Sequence, residues 1–143
     1  MDTCVYLDVL RAKTPVEVDA LLQTRIINHS TTALAELTHL FGRLDPGHAD
    51  TRRALSKLSG VIDDIPPHRL TSPSTRCCAE AGMLAGLSAR LAGRGGDLKL
   101  LNDAMLFLQA REIGCAILTS NLADFDLFDQ LLPGSGLLLY RTL

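Results

Sequence analysis

Apolar residues recur along this chain in two spacings, one typical of helices and one of short buried strands. The helical spacing predicts helices within residues 1–13, 14–24, 31–41 (beginning at Thr31 or Thr32), 49–62, 75–92, 102–113 and 125–132. Shorter apolar runs predict strands at 26–30, 68–71, 115–118 and 137–140. Strands that alternate with helices are typical of a three-layer α/β/α fold around a central, mostly parallel sheet.

The stretch from Asn102 to Phe125 carries the strongest local signals. It predicts a helix from Asn102 to Ile113 that ends at Gly114. A wholly apolar strand follows at Cys115–Leu118, which suits a parallel strand covered on both faces. The polar loop from Thr119 to Asp124 then lies at the carboxyl end of that strand, where open α/β sheets bind ligands.

The predicted helix at 75–92 has two apolar faces. One face carries large residues, among them Met83 and Leu91, and the other carries alanine and glycine. Because small residues let another backbone approach closely, we expect this helix to be packed between neighbours on both sides.

Composition narrows the possible functions. With 143 residues and 47% hydrophobic content, the chain is expected to form one domain, residues 1–143. The formal net charge of −2 gives no global attraction for nucleic acid, so binding it would need a local basic patch or a metal ion. We expect no membrane-spanning segment and no secretory signal. The four cysteines, at 4, 77, 78 and 115, lack zinc-site spacing, and we expect them to be reduced core residues of a cytoplasmic protein.

Four acids fall at places that share one edge of a parallel sheet. Asp2 precedes the first helix, Glu36 lies just inside a helix that follows a strand, Asp103 opens a helix, and Asp124 follows a strand. The carboxyl ends of parallel strands and the starts of the following helices meet at one edge. Four carboxylates there would repel one another unless a cation neutralised them. An all-oxygen set of this kind suits Mg²⁺ or Mn²⁺, and such a site can hydrolyse phosphodiester bonds.

Each acid also has a structural interpretation. Asp103 can be a helix acid favoured by the macrodipole, and Glu36 can be a rim carboxylate that leans toward solvent. Taken one at a time, these interpretations are the better ones. The metal-site hypothesis therefore depends on the convergence of the acids in space.

The ordered motifs resemble those of a known family. They are DT near the N-terminus, then STTALAEL, NDA-x-LF-x-QA and LTSNLADFD. In this order they are similar to PIN domains, and more narrowly to the single-domain VapC-type ribonuclease toxins of bacterial toxin–antitoxin pairs. The resemblance covers nearly the whole chain.

The resemblance implies an activity, a site and partners. The implied activity is an Mg²⁺- or Mn²⁺-dependent endoribonuclease that cleaves RNA and is held inactive by a cognate antitoxin protein, often as a homodimer. The family's acidic site, carried over by matching motifs, falls on Asp2, Glu36, Asp103 and Asp124. The accompanying polar residues are Thr119 and Asn121, with Asp126 as an outer acid.

The chain departs from the family at its first strand. In the family an apolar strand precedes the first Asp, whereas here only Met1 precedes Asp2. We therefore expect the sheet to lack part of its first strand. Because a gap would leave backbone groups unpaired, we also expect either the chain's own N-terminal residues or a neighbouring chain's segment to be drawn into it.

Two other functions compete with the ribonuclease. A PIN-like binding module with an incomplete, inactive metal site is favoured by the missing strand. A Rossmann-like oxidoreductase is disfavoured, since no G-x-G-x-x-G lies between a predicted strand and helix.

Overall fold

The computed structural model describes residues 1–93, 95 and 97–142, and it has the mixed α/β architecture expected. In chain order the elements are α1 (Thr3–Leu10), α2 (Val16–Thr24), β1 (His29–Ser30), α3 (Thr31–Gly42), α4 (Thr51–Asp63), β2 (Leu70–Thr71), α5 (Thr75–Leu91), α6 (Leu98–Glu112), β3 (Ile117–Thr119), α7 (Leu122–Leu131) and β4 (Leu137–Leu139). A single 3₁₀ turn, Pro67–Arg69, precedes β2.

The strands form two separate parallel pairs. β1 pairs with β2, with His29 opposite Leu70. β3 pairs with β4, with Ile117 opposite Leu137. The sheet is therefore parallel, as predicted, but it is divided in the middle.

Met1 and Asp2 lie in the division between the two strand pairs. The Met1 amino group donates a hydrogen bond to the Asn28 carbonyl oxygen just before β1, at 3.3 Å. The Asp2 backbone N–H donates to the Leu118 carbonyl oxygen of β3, at 3.1 Å. The expectation that N-terminal residues are drawn into the gap is confirmed for these two residues.

The predicted strand limits need correction. The strand expected at 26–30 shrinks to the two residues of β1, and Ile26 is 70% exposed. The strand expected at 115–118 lies instead at Ile117–Thr119. In both cases the strand covers only the residues that pair with a neighbour, since β1 pairs with β2 and β3 pairs with β4 over these residues.

The predicted starts of two helices also need correction. α6 begins at Leu98 rather than Asn102, because the Asp97 side chain caps it by accepting a hydrogen bond from the Leu100 N–H at 2.7 Å. Asp103 is therefore in the second turn. α7 begins at Leu122, which places Asp124 in its first turn instead of in a loop.

The core is centred on α6. Phe107 of α6 packs against Phe128 and Phe125 of α7, with ring centroids 5.5 and 6.5 Å apart. On its other side α6 packs against α5, whose buried face includes Ala81, Ala85 and Ala89.

The prediction that helix α5 is packed on both sides was wrong. Met83 is 78% exposed and Leu91 is 56% exposed. The helix packs against α6 along one side, where Leu84 of the large-residue face is buried beside the alanines of the small-residue face, and its opposite side is exposed.

Two expectations from composition can be compared with the structure. The four cysteines are free, as predicted, but only Cys77 is a buried core residue, and the expectation of a core position is wrong for Cys78, which is exposed. Among the helices of the described residues, none combines the length and the apolar sequence needed to cross a membrane.

Candidate metal centre

Asp2 is anchored from several directions at the start of α1. As the N-cap, its Oδ1 accepts a hydrogen bond from the Thr3 N–H at 2.5 Å. Its Oδ2 accepts from Thr119 Oγ1 of β3 at 2.6 Å and from Cys4 Sγ at 2.9 Å. The residue is 3% exposed. Asp2 is thus both a helix cap and a buried acid fixed to the end of β3.

Glu36 approaches Asp2 from α3. This helix starts directly after β1, where Ser30 caps it by accepting a hydrogen bond from the Thr32 N–H at 3.1 Å. Thr3 Oγ1 donates to Glu36 Oε2 at 2.7 Å. Thr3 therefore links the two acids, since its N–H binds Asp2 and its hydroxyl binds Glu36.

Asp103 is the most deeply buried acid of the group, at 1% exposure. Its Oδ2 accepts a hydrogen bond from Asn121 Nδ2 at 2.9 Å and lies 3.6 Å from Lys99 Nζ. Burial, followed by repulsion from Asp2, raises the pKa of Asp103 to about 8. Without a cation, this position therefore favours a neutral carboxylic acid.

Asp124 lies beside Asp103. The same Asn121 Nδ2 donates to Asp124 Oδ2 at 2.9 Å, so one amide group contacts both carboxylates. Lys99 Nζ is 4.0 Å from Asp124 Oδ2. Asn121 thus holds the acid of α7 against the acid of α6.

Three of the four predicted acids converge on one point. Asp2, Glu36 and Asp103 each offer an oxygen atom, and these atoms lie within 4.8 Å of one another. Asp124 is not in this tightest group but joins it through Asn121. The structure therefore brings together carboxylates from the N-cap of α1, from α3 and from α6.

The predicted supporting residues differ in their surroundings. Thr119 is fully buried, donates to Asp2, and accepts a hydrogen bond from the Asn121 N–H at 2.9 Å. Asp126 is exposed on α7, where it accepts from Gln130 Nε2 at 2.7 Å. The role of Asp126 as an outer acid stays a prediction.

Lys99 is the residue near the site that the sequence interpretation missed. It precedes Asp103 by four residues on the same helix, a spacing at which opposite charges meet. This spacing is visible in the sequence, but it was not used because the helix was expected to begin at Asn102, after Lys99.

The donor set fits a hard divalent cation. Carboxylate oxygens are the ligands that Mg²⁺ and Mn²⁺ prefer, and metal–oxygen distances near 2 Å place the ligands of one ion within about 4 Å of one another. Burial also raises the pKa of Glu36, which is half-buried at the open side of the cluster. Two crowded carboxylates with raised pKa values are the pattern expected where a cation would relieve repulsion.

Comparisons with known proteins give a likeness of fold. No protein-family model matches the chain, and no curated protein matches it. Solved structures do match over nearly their whole length. A chain of VapBC2 from Rickettsia felis, in a crystal structure bound to a DNA fragment from the promoter, gives a TM-score of 0.66 at 17% identity, over 98% of this chain and 96% of that one.

Two further structures agree with this match. DNA-bound VapBC from Salmonella typhimurium gives a TM-score of 0.67 at 20% identity, over 98% of this chain and 96% of that one. FitAcB from Neisseria gonorrhoeae gives 0.68 at 18% identity, over 95% and 93%. The architecture described above is therefore shared with chains of these assemblies.

Proposed function

We propose that this protein is a metal-dependent endoribonuclease, a PIN-domain toxin of the VapC type that acts within a toxin–antitoxin pair. The observation that carries the proposal is the convergence of oxygen atoms from Asp2, Glu36 and Asp103 within 4.8 Å. The likeness of fold to chains of VapBC and FitAcB supports it.

Some residues of the site would bind the metal ion, and others would orient the metal-binding carboxylates. Asp2, Glu36 and Asp103, with Asp124 beside them, would hold Mg²⁺ or Mn²⁺. When bound, such an ion supplies an activated water and neutralises charge on the phosphodiester. Thr3, Thr119 and Asn121 orient the carboxylates through the hydrogen bonds described above.

Lys99 adds a positive charge at the edge of the cluster. Its side chain is 60% exposed, so its ammonium group can meet solvent and substrate as well as the acids. An ammonium group close to the site is suited to attract a phosphate of the RNA backbone. This local charge would help a chain of net charge −2 to hold a polyanion.

The same proposal extends to partners and location. We propose a cognate antitoxin protein as the inhibitor, in line with the two-component assemblies VapBC2 and VapBC to which the fold is similar. The homodimer and the cytoplasmic location stay predictions.

An RNA-cleavage assay tests the proposal. We expect the purified chain to cleave single-stranded RNA in the presence of Mg²⁺ or Mn²⁺ and to stop when EDTA is added. Asp103→Asn should lower the rate at least about 100-fold, since one neutral amide replaces a charged ligand at the centre of the cluster. The matched control is Asp64→Asn, at an exposed acid that ends α4.

Two results would refute the proposal that the protein is a metal-dependent ribonuclease. One is cleavage that EDTA leaves unchanged, and the other is equal rates for Asp103→Asn and Asp64→Asn.

The divided sheet is the observation that favours the alternative, a PIN-like binding module with an inactive site. Mn²⁺ binding without any cleavage of RNA would support this alternative.

A further inference from the structure

A second, smaller core lies between α1, α2 and the β3–β4 pair. Its buried members are Val5, Val18, Leu118 and Tyr140. Tyr140 follows β4 directly and is the residue of this core that carries a polar group. Both its side chain and its backbone form hydrogen bonds to other elements, and these bonds lead to the helix and the strand that hold Asp2.

The Tyr140 side chain reaches α1. Its phenol O–H donates a hydrogen bond to Asp8 Oδ2 at 2.8 Å, and both residues are buried. Burial, followed by the hydrogen bond to Asp8, raises the pKa of Tyr140, so the phenol keeps its proton and acts as the donor. Within the part of the chain that the structure describes, no other group donates to the Asp8 carboxyl group. Because a buried carboxyl group without a donor is unfavourable, Asp8 depends on this contact.

The Tyr140 backbone holds β3 at Thr119. Its N–H donates to the Thr119 carbonyl oxygen at 3.2 Å. The Thr119 hydroxyl in turn donates to Asp2 Oδ2 at 2.6 Å. Tyr140 therefore contacts both the helix that Asp2 caps and the strand residue that holds the Asp2 carboxylate.

These bonds fix α1 to the end of the β3–β4 pair at two points. Asp2, the N-cap of α1, is bonded to Thr119, and Asp8 is bonded to Tyr140. The two acids are six positions apart, which is about 9 Å along an α-helix. A helix held at one end can still tilt about that end, whereas a second contact at this distance fixes its direction. The orientation of α1 therefore depends on the bond between Tyr140 and Asp8.

We propose that Tyr140 is a positioning residue for the metal ligand Asp2. This role rests on the metal centre of the proposed function, and it adds a residue that lies outside the acid cluster. Through Asp8 the phenol fixes α1, and through Thr119 the Tyr140 backbone fixes the end of β3. The Asp2 carboxylate is thereby held where it meets Glu36 and Asp103.

Mn²⁺ binding to Tyr140→Phe, which removes only the phenol oxygen, tests the proposal. Loss of a group that orients a metal ligand typically weakens metal binding about 10- to 100-fold. We expect the Kd for Mn²⁺, measured by titration calorimetry, to rise about tenfold in Tyr140→Phe, because Tyr140 acts on Asp2 through α1 and not directly. Asp8→Asn keeps a carbonyl oxygen that can accept from the phenol, so its Kd should stay within about twofold of that of the parent protein.

A double variant separates positioning from stability. Tyr140→Phe alone leaves the buried Asp8 carboxyl group without its donor and should lower the thermal midpoint. Asp8→Val combined with Tyr140→Phe replaces both partners by apolar groups, which can be nearly neutral for stability. We expect this double variant to regain most of the midpoint but to keep the raised Kd for Mn²⁺, because an apolar contact is not directional. Leu58→Ala is the control, since it leaves a cavity beside α4, which carries none of the four acids, and should lower the midpoint without changing the Kd.

Labelling of Cys4 gives a readout that needs no metal ion. Its Sγ lies between α1 and the end of β3, where it donates to Asp2 Oδ2 at 2.9 Å and accepts from the Ser120 N–H at 3.3 Å. Loss of the second contact of α1 should open this place, so in EDTA we expect Cys4 to react with a maleimide at least about fivefold faster in Tyr140→Phe than in the parent protein. Cys78, which is exposed on α5, should react at the same rate in both.

Unchanged Mn²⁺ affinity and unchanged Cys4 labelling in Tyr140→Phe would overturn the positioning role. An equal loss of Mn²⁺ affinity in Leu58→Ala, or a double variant whose affinity recovers together with its midpoint, would also overturn it, because stability alone would then explain the effect. Failure of the ribonuclease gives a different result. A parent protein that binds Mn²⁺ without cleaving RNA would refute the ribonuclease, while the affinity of Tyr140→Phe would still decide the role of Tyr140. A parent protein that binds no Mn²⁺ would overturn both.

Discussion

Asp103 is a buried carboxyl group, which is unfavourable for stability, and it is also a proposed metal ligand. It is an almost fully buried acid on an otherwise apolar face of α6, and its pKa is raised from 3.8 to about 8. The folded protein therefore holds a proton on this group between about pH 4 and pH 8, which the unfolded chain has released. Stability must fall as the pH rises across that range when no cation is bound.

We predict that Asp103→Asn removes this part of the pH dependence. In EDTA, the thermal midpoint of the parent protein should fall relative to that of Asp103→Asn between pH 5 and pH 8, and at pH 8 the variant should be the more stable, by on the order of 1 kcal/mol or more. Thermal unfolding of both proteins at three pH values measures this. A variant that is less stable at pH 8 would mean that Asp103 is a structural helix acid.

Lys99 gives a second prediction at the residue scale, this time for metal affinity. Its ammonium group lies 3.6 Å from Asp103 and 4.0 Å from Asp124, where it competes with a bound cation. Removing one positive charge about 4 Å away in a water-like medium makes the free energy of Mn²⁺ binding more favourable by about 1 kcal/mol. We therefore predict that Lys99→Gln binds Mn²⁺ about fivefold more tightly at low salt. Titration calorimetry measures this, with Lys57→Gln on the exposed face of α4 as the control.

Salt provides a further check on the Lys99 prediction. The gain in affinity should shrink at high salt, because Lys99 is partly exposed and its charge is screened. Weaker Mn²⁺ binding in Lys99→Gln would instead show that Lys99 holds the acids in position.

At the scale of elements, Gln109 of α6 connects the helix to the first strand pair. Its Oε1 accepts from Ser30 Oγ of β1 at 2.6 Å, and its Nε2 donates to Thr71 Oγ1 of β2 at 3.1 Å. Gln109 and Ser30 are both buried. One side chain thus fixes β1, and with it the start of α3, against the helix that carries Asp103.

We predict that Gln109→Leu destabilises the protein by about 1–3 kcal/mol, since it leaves the buried Ser30 hydroxyl without its acceptor. The change keeps the side-chain volume nearly constant, so lost hydrogen bonds rather than a cavity should dominate. Denaturant unfolding measures the loss, and Gln130→Leu on the exposed side of α7 should change the stability by no more than about 0.5 kcal/mol. Equal effects of the two substitutions would contradict the structural role of Gln109.

The helices were more predictable than the strands for a local reason. Caps are set by neighbouring residues, as with Ser30 before α3 and Ser74 before α5. The start of α6 was missed because its N-cap, Asp97, follows a glycine-rich stretch of sequence that favours a turn over a helix. Strand limits depend on partners distant in sequence, so β1 and β3 could not be placed from their own residues alone.

At the scale of the whole molecule, the divided sheet is held together by the helices. Phe107 on α6 contacts α7, while α5 and α3 pack against other faces of α6. Both strand pairs therefore rest on α6 and the helices around it, and the assignment of residues 1–143 to one domain stays a prediction. The metal centre lies where the two pairs approach each other, at Asp2.

The sequence by itself determined the order of elements, the α/β class and the four candidate acids. It did so because helix caps, apolar spacing and the polar residues after strands are all local signals. The role of each single acid was ambiguous, because the sequence around one acid does not distinguish a helix acid from a metal ligand. This holds for Asp2, Glu36 and Asp103.

Only the tertiary structure decided which acids meet and how they are held. It linked Asp124 to Asp103 through Asn121, placed Lys99 beside the acids, and showed that Met1 and Asp2 form hydrogen bonds to the chain at Asn28 and Leu118. The physical reason is that burial, repulsion between carboxylates and hydrogen bonds depend on the distances between residues that are far apart in the chain, such as Thr119 and Asp2, which are separated by 117 positions.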